Sequence, residues 1–201
     1  MKAPIRSIFF VMVVMLLSAC ANLHVAQDQT QFTDQSPKVR MVNLSAIQNW
    51  SISGAMSVTQ RGKGHIFSFN WIEKGDSYTI KLSATLNLAS LVILGQPGKV
   101  TLVKGDYMYH AATPEALLAT QADTQLPISD LKYWVRSIPA PNQRYLAQYD
   151  RYGHLIDLQQ DGWHVTFSNF LTVGQVDVPQ KIMMTSPDLT VRIVVKQWLI
   201  Q

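Results

Sequence analysis

The sequence is short of charge, of cysteine and of long apolar segments. Charged residues make up 15% of its 201 residues, against about 25% in an ordinary soluble domain. The single cysteine excludes a disulfide scaffold and a multi-cysteine zinc or iron–sulfur site. The net charge is +4, or +2 without residues 1–19, which is too small to indicate binding to nucleic acid. A content of 47% hydrophobic residues excludes a disordered chain. One folded domain is therefore expected, with no nucleic-acid partner.

The first nineteen residues have the three zones of a bacterial export signal. Lys2 and Arg6 precede an unbroken apolar run over 8–17. As a helix, those ten residues cover about 15 Å of a hydrocarbon core about 30 Å thick, which is too short to span it. The following Leu17-Ser18-Ala19-Cys20 resembles a lipobox. Residues 1–19 are therefore predicted to be a lipoprotein signal peptide.

Cys20 is the predicted site of lipidation, carrying an N-acyl and an S-diacylglyceryl group. The alternative is that it ends an ordinary signal peptide. The next residues are Ala21 and Asn22 rather than the Asp that retains lipoproteins in the inner membrane, so outer-membrane anchoring, facing the periplasm, is expected. Polar residues dominate 20–38, which is predicted to be a flexible tether. Residues 39–201 form the predicted domain. Without the predicted signal peptide, 15 basic and 13 acidic residues remain, so the proportion of charged residues stays low.

Alternating apolar and polar residues from Trp50 onward, broken by Gly and Pro turns, predict an antiparallel meander. The strongest hairpin signal is Asp161-Gly162, which pairs Leu158 with Val165 and Asp157 with Thr166 in a register that separates apolar from polar pairs. Helices are predicted from Pro114, over 129–137, and more weakly over 39–49. The fold class is thus α+β, with a curved antiparallel sheet and a few helices on one face.

No catalytic or metal-binding pattern is present. The five histidines are scattered, no serine lies in a nucleophile elbow, and His164 with Asp157 is a solvated strand pair. No enzyme activity and no cofactor are therefore expected. Lys132, Arg136 and Arg144 are candidates for a local basic patch.

The predicted strands are rich in apolar residues and poor in charged ones. Two interpretations stay open: an ordinary filled core, or a cavity lined by the apolar face of the strands. The candidate lining residues are Phe67, Phe69, Trp71, Tyr78, Ile80, Leu82, Val165 and Phe167.

The segment over 83–90 joins two strands without Gly, Pro or charge, and it contains Leu86 and Leu88. A loop leucine either folds back onto the core or is held out to enter a lipid surface. Leu86 and Leu88 are the candidate membrane-insertion residues.

Together these features resemble the LolB family of outer-membrane lipoprotein receptors over about residues 45–200. The markers, in order, are Cys20, Trp50, Gly54, Phe69-Asn70-Trp71, Gln96-Pro97-Gly98, Leu126-Pro127-Ile128, Leu131, Trp134, Pro139, Asp150, Gly153, Gly162-Trp163, Pro179 and Trp198. Ala84-Thr85-Leu86-Asn87 stands where the family has Asn-Pro-Leu-Gly, and Ser137 stands where a glycine is expected.

The resemblance implies an unclosed antiparallel β-barrel with helices as a lid over an apolar cavity. It also implies a function: a monomeric receptor that accepts lipoproteins from the periplasmic carrier LolA by their acyl chains. Such a receptor incorporates the cargo into outer-membrane lipid without ATP, with Leu86 at the position of a membrane-entering leucine. The alternative is a lipid-anchored structural module of the envelope without an acyl cavity.

Overall fold

The computed structural model describes residues 32–84 and 90–201. The strands are β1 (Asn49–Gln60), β2 (Lys63–Lys74), β3 (Ser77–Ala84), β4 (Ser90–Gln96), β5 (Lys99–Lys104), β6 (Tyr107–Ala111), β7 (Tyr145–Tyr149), β8 (Leu155–Gln160), β9 (Trp163–Val173), β10 (Val176–Thr185) and β11 (Leu189–Ile200). The helices are α1 (Pro37–Ser45), α2 (Pro114–Ala122) and α3 (Ile128–Trp134). No described helix has both the length and the apolar character needed to cross a bilayer.

All the described strands form one antiparallel sheet in the order β6-β5-β4-β3-β2-β1-β11-β10-β9-β8-β7. The first and last strands of the chain are thus paired at its centre, and β6 and β7 are its two edges. The chain between these edges carries α2 and α3, which lie over one face. The predicted α+β half-barrel with a helical lid is therefore confirmed.

The predicted hairpin is confirmed in its register. Leu158 pairs with Val165 and Asp157 with Thr166. Asp161 and Gly162 have φ angles of 48° and 74°, the left-handed values that both central positions of a two-residue type I′ turn require.

Two predicted helices differ from the observed ones at their ends. The expected 39–49 helix is α1, which starts at Pro37 because Ser36 caps it and proline suits the first helical position. The expected 129–137 helix is α3, which ends at Trp134. Ser137 then has φ +57°, the left-handed conformation that explains why a glycine was expected there. Its hydroxyl donates to the Leu155 carbonyl at 2.9 Å.

The compact unit begins at Phe32, within the segment predicted to be tether. The Phe32 ring packs edge-on against His154, 4.8 Å between centroids, and the Thr33 carbonyl accepts from Arg40 at 2.6 Å. Residues 32–38 therefore contact the domain. The signal peptide and Cys20 lie outside the described residues.

A bulge in β11 sets which of its side chains face the core. Ser53 pairs with Gln197 while its neighbour Gly54 pairs with Val195, which leaves Lys196 without a partner in β1. The extra residue reverses the alternation. Trp198 is consequently buried, where an unbroken strand would have turned it to solvent.

Gly54 is the point of closest approach between β1 and β11. A Cβ built on it would lie 1.9 Å from the Val194 carbonyl oxygen, a contact that backbone cannot relieve by rotation. The central strand pair thus requires glycine at this position.

We expect Gly54→Ala to lower the free energy of unfolding by about 3 kcal/mol or more, since it overpacks backbone against backbone. Gly64→Ala is the matched control in the neighbouring strand, where the nearest atom to a new Cβ is the Thr59 hydroxyl at 3.7 Å. Urea denaturation of both variants measures the difference. Equal stability of the two would contradict this account of Gly54.

Candidate binding cavity

A cavity of about 370 Å³ lies between the sheet and helices α2 and α3. Its volume is within the range of about 300–1,000 Å³ typical of small-molecule sites. Its walls come from β1–β4 and β11, and its roof from the two helices and the segments that follow them. The lining residues are Ile52, Met56, Val58, Gln60, Arg61, Lys63, His65, Phe67, Phe69, Trp71, Ile80, Leu82, Leu91, Ile93, Leu118, Ala122, Asp123, Thr124, Leu126, Ile128, Leu131, Val135 and Ile193.

The register of the strands places the apolar wall residues side by side. Trp71 pairs with Ile52 on one side and with Ile80 on the other, and Ile80 pairs in turn with Ile93. Paired residues point to the same face of a sheet, so this row forms one apolar band across four strands. A second band contains Phe69 and its partner Leu82.

Helix α3 supplies the roof because its apolar positions fall on one stripe. Ile128, Leu131 and Trp134 are all buried. The helix is held by an ion pair 2.5 Å long between Lys132 and Glu73, and by the Trp134 indole, which donates to Gln160 Oε1 at 2.9 Å. Gln160 also bonds the Ala140 backbone through both N–H and C=O, which explains how a glutamine is tolerated at 3% exposure.

The structure brings five of the eight candidate lining residues to this cavity: Phe67, Phe69, Trp71, Ile80 and Leu82. It does not bring Tyr78, Val165 or Phe167 there.

Tyr78 packs over Gly95, where any Cβ would meet its ring at 2.0 Å. Val165 and Phe167 are buried in β9, in the part of the core where Trp134 and Trp163 lie 6.4 Å apart between ring centroids. These side chains therefore belong to the buried core over β8 and β9, whereas the sheet is hollow over β1–β4 and β11.

Sequence reasoning missed the roof and the walls formed by β1, β4 and β11. Leu91 and Ile93 belong to the continuous apolar run 91–94, which indicates a strand but does not show which of its faces meets the cavity. Nothing local signals that Ile193 of β11 lies beside β1, because that contact depends on pairing between the two ends of the chain.

Polar residues collect at one end of the cavity, which we call the mouth: Gln60, Arg61, Lys63, His65, Asp123 and Thr124. They lie at the β1–β2 turn and after α2. Gln60 Nε2 donates to the Asp123 carbonyl at 2.8 Å, which ties the turn to the end of the helix. At the same end of the sheet, β3 stops at Ala84 and β4 starts at Ser90. The candidate insertion residues Leu86 and Leu88 between them lie outside the described residues, as does Cys20.

Comparison with known proteins gives the family. Residues 48–198 match the family model for outer membrane lipoprotein LolB. The outer-membrane lipoprotein LolB of Coxiella burnetii is 43% identical over 186 residues, 92% of this chain and 88% of that protein. The LolB of Pseudomonas fluorescens is 32% identical over 191 residues, 92% of each chain. The chain belongs to the LolB family.

Solved structures with little sequence identity share the fold. A LolA superfamily protein from Nitrosomonas europaea has a TM-score of 0.56 at 8% identity, covering 83% of this chain and 94% of that one. A DUF1329 family protein from Desulfovibrio piger has a TM-score of 0.51 at 11% identity, covering 82% and 90%. The open sheet of this LolB-family chain is therefore shared with the LolA superfamily.

The end of the sheet opposite the mouth, which we call the base, contains buried polar groups. Arg136 is 3% exposed and donates to the carbonyls of Leu44 at 3.0 Å and Ile47 at 2.8 Å, which joins α1 to the segment after α3. Burial raises the pKa of the Glu73 carboxyl, and the bonds from Lys132 and Trp71 offset part of that effect. Arg136 and Lys132 are therefore structural in this LolB-family fold. Of the three basic candidates, Arg144 is the exposed one.

A second polar cluster at the base holds the start of the domain. Asp150 Oδ2 lies 2.8 Å from His154 Nδ1, and Asp177 Oδ2 lies 3.0 Å from His154 Nε2. Asp177 also accepts from Arg40 at 2.6 Å and from Thr172 at 2.6 Å. Burial raises the pKa of Asp177, but these bonds and the Arg40 charge outweigh it, so the pKa lies below its ordinary value.

Several family markers serve this base. Asp150 accepts from the backbone N–H of Tyr152 and of His154, both at 2.9 Å. A Cβ on Gly153 would lie 2.1 Å from the Gln35 carbonyl. Trp198 donates to the Pro179 carbonyl at 3.2 Å. These markers of the LolB family are explained by folding rather than by contact with a ligand.

We expect Asp177→Asn to lower the free energy of unfolding at pH 7 by about 3–5 kcal/mol, because it leaves Arg40 buried without its carboxylate. A carboxyl whose pKa is lowered by folding stabilises the protein above its unfolded pKa and loses that effect as the pH falls through the folded one. The difference from wild type should therefore shrink below about pH 4.

Urea denaturation at pH 7 and pH 3 measures both effects. Asp157→Asn is the control, since Asp157 pairs at 2.6 Å with the half-exposed His164 and should change stability by less than about 1 kcal/mol. A difference for Asp177→Asn that is the same at both pH values would contradict the assignment.

Proposed function

We propose that this protein is an outer-membrane receptor for lipoproteins. It takes them from a periplasmic carrier of the LolA type by binding their acyl chains in the cavity, and it delivers them to outer-membrane lipid. The observation that supports this most is the apolar cavity of about 370 Å³ under a helical roof in a LolB-family chain. The receptor acts as a monomer and is held to the membrane by lipid on Cys20.

The physical need for such a cavity is large. Burying an acyl chain is worth about 0.8 kcal/mol per CH₂, so one chain of about 16 carbons represents on the order of 12 kcal/mol. Because exposing an acyl chain to water has this free-energy cost, lipoproteins cannot cross an aqueous compartment without a protein that covers their acyl chains. A band of Trp71, Ile80 and Ile93 offers the required apolar surface.

Transfer of this kind needs no catalytic group and no ATP. Cargo moves from carrier to receptor when the receptor binds the acyl chains more tightly, and on to the bilayer when lipid solvates them better still. The alternative, a structural module of the envelope, needs a filled core. The hollow half of the sheet favours the receptor.

Filling the cavity should block uptake. We expect Leu82→Trp, which places an indole inside the cavity wall, to reduce acceptance of lipoprotein from a loaded LolA carrier by tenfold or more. Lys81→Trp is the matched control: it introduces the same side chain one residue earlier in β3, on the exposed face. Acceptance is measured by incubating each purified variant with the loaded carrier and separating the two proteins.

If wild type takes up no cargo, the receptor proposal is wrong. If Leu82→Trp takes up cargo as well as Lys81→Trp does, the receptor does not use this cavity. A denaturation curve for each variant distinguishes a blocked cavity from a misfolded domain.

Leu86→Glu should keep uptake and slow delivery, because a charge in the loop resists entry into lipid. Leu86→Ala, which removes the side chain without adding charge, gives the comparison. Release of labelled cargo into outer-membrane lipid vesicles measures delivery. Unchanged delivery by Leu86→Glu would remove Leu86 from the mechanism and leave the receptor itself intact.

A further inference from the structure

The cavity is polarised along its length. Every second residue of β2 faces it, from Lys63 and His65 at the mouth to Phe67, Phe69 and Trp71 farther in. Strand β2 therefore has a cation, Lys63, at its mouth end and an indole, Trp71, eight positions farther along. An amphiphile lying along this strand would have its polar end beside Lys63.

The charges at the mouth are mainly basic. Arg61 and Lys63 line it, and Asp123 is the one acidic lining residue among those that the structure describes. Arg61 approaches the Asp123 carboxylate only to 3.7 Å, with both side chains largely in solvent, so the pair is loose. Lys63 forms no salt bridge with any residue in the described ranges. Lys63 is thus a cation at the rim of an apolar cavity, with no ion-pair partner in the part of the chain that the structure describes.

An unpaired hydroxyl lies at the same place. Thr124 Oγ1 is buried, and no hydrogen-bond partner for it exists among the described residues. Thr124 lines the cavity next to Asp123, whose carbonyl is tied to Gln60 across the mouth. A buried hydroxyl normally has a partner. An oxygen of a ligand headgroup at the mouth would supply one.

From these observations we propose that the cavity prefers acyl ligands whose polar end is anionic. The acyl chain lies against the apolar bands, and a phosphate or carboxylate pairs with Lys63 and Arg61 and accepts from Thr124. This rests on the proposed function, since it assumes that the cavity takes acyl chains, and it adds the chemistry of the headgroup.

The preference is measured by displacement of a neutral fluorescent probe, N-phenyl-1-naphthylamine, from the purified full-length mature chain. The competitors are a lysophosphatidic acid and a monoacylglycerol with the same acyl chain, below their aggregation concentrations. We expect the anionic lipid to bind about three- to tenfold more tightly at low salt, with the preference falling as salt screens it. Inorganic phosphate alone should displace nothing, because the acyl chain supplies most of the affinity.

In the double variant Arg61→Gln with Lys63→Gln, the anionic lipid should lose its advantage, so that the two lipids bind equally. Lys104→Gln is the control, since Lys104 is exposed and does not line the cavity. It should keep the wild-type preference.

The outcomes separate the two proposals. If neither lipid displaces the probe, the acyl cavity itself is wrong. If both lipids bind equally to wild type, or if the double variant keeps the preference, the cavity stands and the anionic headgroup is overturned. Displacement by inorganic phosphate alone would also overturn it, since the site would then recognise the ion and not the amphiphile.

Discussion

The pairing of β1 with β11 is the constraint on which the rest of the structure depends. It joins the two halves of the chain into one sheet and leaves β6 and β7 as edges. The strands approach so closely at Gly54 that no side chain fits there. Because the edges stay apart, the chain between them can carry helices across the open face. The cavity and its roof both follow from a sheet whose central strands are paired and whose two edge strands are not paired with each other.

The two halves of the sheet differ because of what the helical segment places over each. Trp134 lies above β8 and β9, where its indole fills the space and bonds to Gln160. Smaller side chains from α2 and α3, such as Leu118 and Leu131, lie above β2–β4 and leave the space unfilled. The cavity over β1–β4 and β11 therefore coexists with a core of large buried aromatic side chains over β8 and β9.

Buried polar groups give the base its rigidity. Arg136 joins α1 to the segment after α3, Glu73 pairs with the Lys132 of α3, and Asp177 holds Arg40. Buried charges are costly unless they are paired and hydrogen-bonded, so each of these contacts restricts the helices to one arrangement. The base is thus fixed, while the mouth is tied across by the Gln60 bond and the loose Arg61–Asp123 pair. A ligand could therefore enter and leave at the mouth without breaking the buried contacts of the base.

The sequence by itself determined the meander, the Asp161-Gly162 hairpin and its register, and the apolar faces of β2 and β3. These are local properties, since alternation and turn chemistry act over a few residues. Of the predicted lining residues, Phe67 and Trp71 lie beside the cavity, whereas Tyr78, Val165 and Phe167 are not among its lining residues. Only the tertiary structure decided where the sheet is hollow, how the β11 bulge turns Trp198 inward, and which cations line the mouth. A cavity remains where the backbone encloses more volume than the side chains of distant elements fill. No single segment of the sequence determines that balance.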